Sequence, residues 1–204
     1  VRRELAERLL PSALVGADAL AVHRLLRRLN AARALAAEEA GDEAAVIPLT
    51  VADLVDDPDT WRPTLEKGAE APGRRGWNDR ALARVLTKAA RMWELARQRD
   101  TRPQERLWEL WEACGVAEDW RSRAIQSDEA SAWFDDQLDA VVALLRVADV
   151  WEQRNPAGSA RDFASELLAG SVPIDTISRV GVRPGGVEVL TPAQAMGRRW
   201  QVVV

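Results

Sequence analysis

VEVLTPAQAMGRRWQVVV, residues Val187 to Val204, is unlike the rest of the chain. Val187-Glu188-Val189-Leu190 alternates β-branched and other residues and predicts a short strand. Thr191-Pro192 suits a helix start, because proline lacks an N–H that the first helical turn does not need. Gly197 ends that helix. Trp200 to Val204 is an apolar run of the type buried on both faces of a parallel sheet. Upstream, apolar residues recur at helical spacing and polar residues fill the faces between them. The expected fold is therefore mainly α, a multi-helix unit followed by two short β-strands at the C-terminus. Val1 lies within a helical pattern and Val204 ends an apolar strand, so the chain is expected to be an excised part of a longer protein.

The helices are read outward from that end. Ser159 caps a helix carrying Phe163, Leu167 and Leu168, closed by Gly170. Ser127-Asp128 is expected to cap a long helix running to about Arg154, with Phe134, Leu138, Val141, Leu145 and Ala148 as its buried stripe. Pro103 opens a helix that Gly115 closes, with Leu107, Trp108, Leu110 and Trp111 expected in the core. Asn78 or Asp79 is expected to cap a helix extending to about Arg99. The Pro- and Gly-rich stretch from Pro58 to Asn78 reads as a long loop pinned by Trp61 and Trp77. Thr50 caps a short helix around Val51 to Val55, and Asp18 caps one from Ala19 to about Glu39. The first helix, with Leu5, Leu9 and Leu10 on its apolar side, stops at Pro11.

A chain of 204 residues with a formal net charge of −4 has no global basic signal for nucleic acid. A DNA contact has to come from a local patch. Arg80, Arg84, Lys88 and Arg91 recur at three and four residues and form one basic stripe. Its alternatives are a solvated face paired with neighbouring acids, or a surface for DNA or another domain. Cys114 is the only cysteine, which excludes disulfides and thiolate clusters within the chain and fits a reducing cytoplasm. No apolar run is long enough to span a membrane. His23 has no nucleophile or second histidine at useful spacing. Asp135, Asp136 and Asp139 read as a solvated acidic face. There is no G-x-x-x-x-G-K-[ST] loop, so no catalytic or metal site is expected here.

The C-terminal stretch resembles motif V of UvrD/Rep-type superfamily 1 DNA helicases, whose pattern is roughly strand, T-x-H-x-A-K-G-x-E-(F/W), strand. Thr191, Ala195, Gly197 and Trp200 fit it. Ala193 stands in place of the histidine, Met196 in place of the basic residue, and Arg199 in place of the glutamate. From Pro103 onward, including LWELWEACGVAEDW at 107–120, the chain is most similar to AdnAB- and RecB-like actinobacterial helicase–nucleases. The resemblance implies a helical 2B-like accessory domain over residues 1–184 and a piece of the returning motor domain over 185–204. It implies Thr191 as a DNA contact, and Gly197 and Arg199 as a nucleotide-binding position degenerate at Arg199. Leu14 to Asp18 would be the hairpin by which 2B grips duplex phosphates, with Gly16 at its tip and free amides at the start of the next helix. An ordinary helix corner is the alternative. Arg24 and Arg28 on that helix, with Arg80, Arg84, Lys88 and Arg91, complete the candidate DNA contacts. No cofactor is expected in this stretch; ATP and Mg belong to the full-length parent. The implied partners are junction DNA, the remaining motor domains and a second helicase–nuclease subunit. The rival expectation is a helical protein–protein interaction module of the same complex.

Overall fold

The computed structural model describes residues 2–40, 47–98, 101–126 and 130–172. They form the helices α1 (Arg2–Leu9), α2 (Ala19–Glu39), α3 (Val51–Asp56), α4 (Arg62–Ala69), α5 (Arg74–Arg97), α6 (Pro103–Cys114), α7 (Ala117–Ala124), α8 (Ser131–Arg154) and α9 (Ala160–Leu168). A single 3₁₀ turn, Pro58–Thr60, joins α3 to α4. The described residues are helices and turns, as the periodicity predicts. The expected C-terminal strands, the boundary at 184 and the Ser127-Asp128 cap lie outside the described residues.

Local chemistry sets most helix ends. Asp18 accepts the Leu20 amide at 2.8 Å, which satisfies a donor that the first turn leaves open. Asp53 reaches back to the Thr50 amide at 2.6 Å, and Asp162 does the same to Ser159 at 2.9 Å. Both carboxyls are held below the usual aspartate range by these hydrogen bonds, from the Thr50 amide for Asp53 and from the Ser159 hydroxyl for Asp162.

Two cores follow. The larger gathers Ala6 and Leu10 of the first segment, Val22, Leu25 and Leu29 of α2, Leu54 and Val55 of α3, Trp61, Leu65 of α4, and Leu82, Leu86, Ala89 and Met92 of α5. The smaller holds Val147, Ala148 and Trp151 of α8 with Phe163 of α9 and Val172. Helix α6 stands between them. Leu110, Trp111 and Ala113 pack on the larger core, and Leu107 packs on the smaller one. Trp120 of α7 bridges Trp111 and Trp133 edge-on, at 5.6 and 5.8 Å between ring centres.

The region 58–78 departs from the expected loop. Pro63 falls in the first turn of α4, where its missing N–H costs nothing. Only Pro72-Gly73 breaks the chain, and α5 begins at Arg74 rather than at Asn78 or Asp79. Asp79 is therefore not a cap. It is a buried residue inside α5, in contact with Arg28 of α2 through both carboxylate oxygens at 3.4 Å. The elbow between α4 and α5 is close enough that glycine is required twice. A Cβ on Gly76 would lie 2.0 Å from the Ala71 carbonyl oxygen, and one on Gly68 would lie 1.8 Å from Oδ2 of Asp79. Gly68→Ala is accordingly expected to cost about 1–3 kcal/mol by overpacking. Denaturant melts of Gly68→Ala, Asp79→Ala and the double variant test this. The double variant should be more stable than the sum of the singles predicts; strict additivity would refute the clash.

Other side chains correct the expected core. Trp61 is buried, but Trp77 is 61 % exposed and pins nothing. Trp108 is 51 % exposed, Leu5 is exposed, and Leu168 projects into solvent. On α8 the most deeply buried face is Ala143, Val147, Ala148 and Trp151, rotated from the stripe expected through Phe134 and Val141. The indole of Trp151 and the ring of Phe163, 5.6 Å apart, draw that end of α8 onto α9.

Candidate nucleic-acid interface

Because α5 starts one turn earlier than its spacing alone suggests, its basic stripe gains a residue. Trp77, Arg80, Arg84, Lys88 and Arg91 follow one another at intervals of three and four, so they share one face of a single continuous helix. An exposed indole thus heads a line of cations. In the sequence Trp77 reads as a loop residue; its three-residue step to Arg80 is the signal for its place on this face.

The cations are not equivalent. Arg80 donates to the Ala69 carbonyl at the end of α4, so it serves the elbow. Arg91 pairs with Glu94 at 2.9 Å. Lys88 is half-buried, and desolvation lowers its pKa from the ordinary lysine value, with Cys114 acting in the opposite sense. Arg84 is exposed and has no partner among the described residues. On α2, Arg28 is engaged with Asp79, while Arg24 is exposed and without a partner among the described residues. Of the candidate DNA-contact positions that are described, the freely available side-chain cations are thus Arg24 and Arg84.

Gly16 sits in a closed corner. Its amide donates to the Ser12 carbonyl at 2.7 Å, and the Ala17 amide donates to Leu10 at 2.8 Å. With the Leu20 amide taken by Asp18, three of the N–H groups in and after the corner are spent internally. The carbonyls that take the Gly16 and Ala17 amides belong to the turn that follows α1.

The corner and α5 nevertheless enclose one groove. Gly16, Ala17, Asp18, Ala21 and Arg24 form one wall, and Trp77, Asn78, Ala81, Leu82 and Val85 form the other, around about 670 Å³. This brings Gly16 and Arg24 together with the head of the α5 stripe. Thr191, Gly197 and Arg199 lie outside the described residues.

Two other grooves are less suited to an anion. Between α3 and α5, a space of about 530 Å³ is lined by Arg62, Arg91 and Arg97. Each is already paired, with Asp59 at 2.8 Å, Glu94 at 2.9 Å and Asp56 at 2.7 Å. The groove between α6 and α8 carries Glu105, Glu109 and Glu152 beside Trp108, and is acidic. Among the described residues no group of three or more His, Cys, Asp or Glu is placed to hold a metal ion, and no helix is long and apolar enough to cross a membrane.

The chain matches no family model, no curated protein and no solved structure.

Proposed function

We propose that the chain is a helical accessory unit of an ATP-dependent DNA helicase, of the 2B kind, and that it meets DNA through α5. The observation that carries this reading is the continuous α5 face headed by exposed Trp77, with Arg84, unpartnered among the described residues, on it and Arg24 across the groove. The motif V resemblance of residues 187–204 supplies the helicase context. The unit itself performs no catalysis; ATP and Mg act in the motor domains of the parent.

Fluorescence anisotropy of a labelled single-strand/duplex junction, titrated with salt, tests it. Binding should weaken steeply as salt rises, because cations on the protein displace condensed counterions. Each phosphate that the protein neutralises adds roughly 0.7 to 0.9 to the slope of log affinity against log salt. Arg24→Ala combined with Arg84→Ala should therefore lower that slope by about 1.4 to 1.8. Arg80→Ala should change it less, because that guanidinium is committed to Ala69. Absence of binding at low salt would remove the DNA role.

A protein–protein module within a helicase–nuclease complex is the second reading. It is favoured by Trp108 of α6, 51 % exposed and lining an acidic groove, and by Trp133 at the start of α8, 46 % exposed. In that case the partner would be the rest of its own motor or a second subunit.

A further inference from the structure

The groove between the α1–α2 corner and α5 combines three kinds of group. Trp77 offers an indole, exposed over more than half its area. Ala17, Ala21 and Ala81 leave an apolar floor with little side-chain bulk. Arg24 and the amide of Asn78 stand at the rim, and neither side chain has a partner among the described residues. Asp18 is the opposing charge, and one of its oxygens is spent on the Leu20 amide.

We propose that this groove holds one unpaired nucleotide of a nucleic-acid strand, with its base stacked on Trp77, its edge read by Asn78 and its phosphate held by Arg24. The proposal rests on the nucleic-acid reading of α5 and narrows it from DNA in general to an unpaired base. A base within a duplex has both faces covered by its neighbours, so an indole cannot stack on it without extrusion. An unpaired base presents a free π-face, and stacking on an aromatic side chain contributes about 1–3 kcal/mol per base. The volume of about 670 Å³ admits a nucleotide, being within the usual range for small-ligand sites. Asn78 carries both donor and acceptor, so it can meet a base edge without demanding one base. Arg84, on the same face of α5 as Trp77, would take the next phosphate along the strand.

The test uses the full chain and a short single-stranded oligothymidylate carrying one 2-aminopurine, whose fluorescence is quenched on stacking. A blunt duplex is titrated in parallel. Binding of the single strand should quench the probe. Trp77→Ala should abolish the quench and weaken single-strand affinity by about fivefold or more, the lower end of one stacked base. Trp77→Phe should retain most of both, and Trp108→Ala should leave both unchanged. Duplex affinity should be nearly insensitive to Trp77→Ala. If Trp77→Ala leaves the quench and the single-strand affinity intact while duplex still binds, the stacking proposal fails and the wider DNA reading stands. If neither nucleic acid binds, both fail. If thymidine monophosphate binds as tightly as the oligonucleotide, the site takes a free nucleotide and the strand proposal is overturned.

Discussion

Replacing Trp61 by alanine is expected to lower the unfolding free energy by about 4 kcal/mol. Trp61 is 1 % exposed and packs in the larger core, between α3 and α4. Its loss removes a large apolar surface and opens a cavity that rigid helices cannot close. The indole has a second role. The Leu54 carbonyl in α3 would ordinarily accept from the amide four residues on, but that residue is Pro58, which has none. Nε1 of Trp61 donates to it instead, at 2.8 Å and away from water. Trp61→Phe therefore isolates the polar part. It keeps most of the ring volume, orphans a buried carbonyl, and should cost about 1–3 kcal/mol. Urea denaturation followed by circular dichroism measures both variants. A loss below about 1 kcal/mol for the alanine variant would mean that this part of the core is not packed as described.

The second large effect is expected at Arg106. It is 6 % exposed, and its two terminal nitrogens serve three acceptors. Nη1 donates to Gln98 at 3.1 Å and to Glu109 at 2.7 Å, and Nη2 donates to the Thr101 hydroxyl. Gln98 follows α5, Thr101 precedes α6, and Thr101 also accepts the Ala160 amide through its carbonyl at 2.9 Å. The Gln104 amide in the first turn of α6 donates to Glu152 of α8 at 2.6 Å. Arg106 thus fixes the crossing where the two cores are joined. Arg106→Ala should cost about 3 kcal/mol, from missing stem packing and from polar groups left without their partner. Arg106→Lys should recover less than half, because a single ammonium cannot reproduce a planar fork with two separated arms. Full rescue by lysine in thermal melts would show that only the charge matters.

Legibility from sequence divides along local and tertiary lines. Asp18, Thr50, Pro103, Gly115 and Ser159 mark helix ends whose hydrogen bonds close within three or four residues, and the structure begins or ends helices beside each of them. The α4–α5 elbow was not legible. Pro63, Gly68, Pro72, Gly73 and Gly76 read as a loop when counted together, but only the Pro72-Gly73 pair acts as one. Gly68 is there because Asp79 of the neighbouring helix comes close, and Gly76 because the chain folds back on the Ala71 carbonyl of the turn. Asp79 resembles a cap because its partner, Arg28, is fifty-one residues away. At the candidate site, the spacing of Arg80, Arg84, Lys88 and Arg91 was legible. Which of them are free was legible only for Arg91, whose partner Glu94 is three residues on; for Arg80 and Lys88 it depends on where Ala69 and the chain around Cys114 come to rest. Trp108 shows the converse limit. Its spacing beside Leu107 and Trp111 fits a core, yet it faces outward because α6 is covered on two sides and not all round.

The order in which the helices pair has a kinetic meaning. Helix α4 lies against α5, α5 against α6 and α7 against α8. Each of these unions closes a connection of only a few residues, so little loop entropy is given up before the helices meet. Such a molecule can assemble by accretion, each finished helix offering a wall to the next as the chain emerges. Among the described residues, the long-span closures include α1 onto α3, α6 onto α8, the return of α9 to the start of α6 and the reach of α2 to Asp79. These are the joints on which the search for the native state waits.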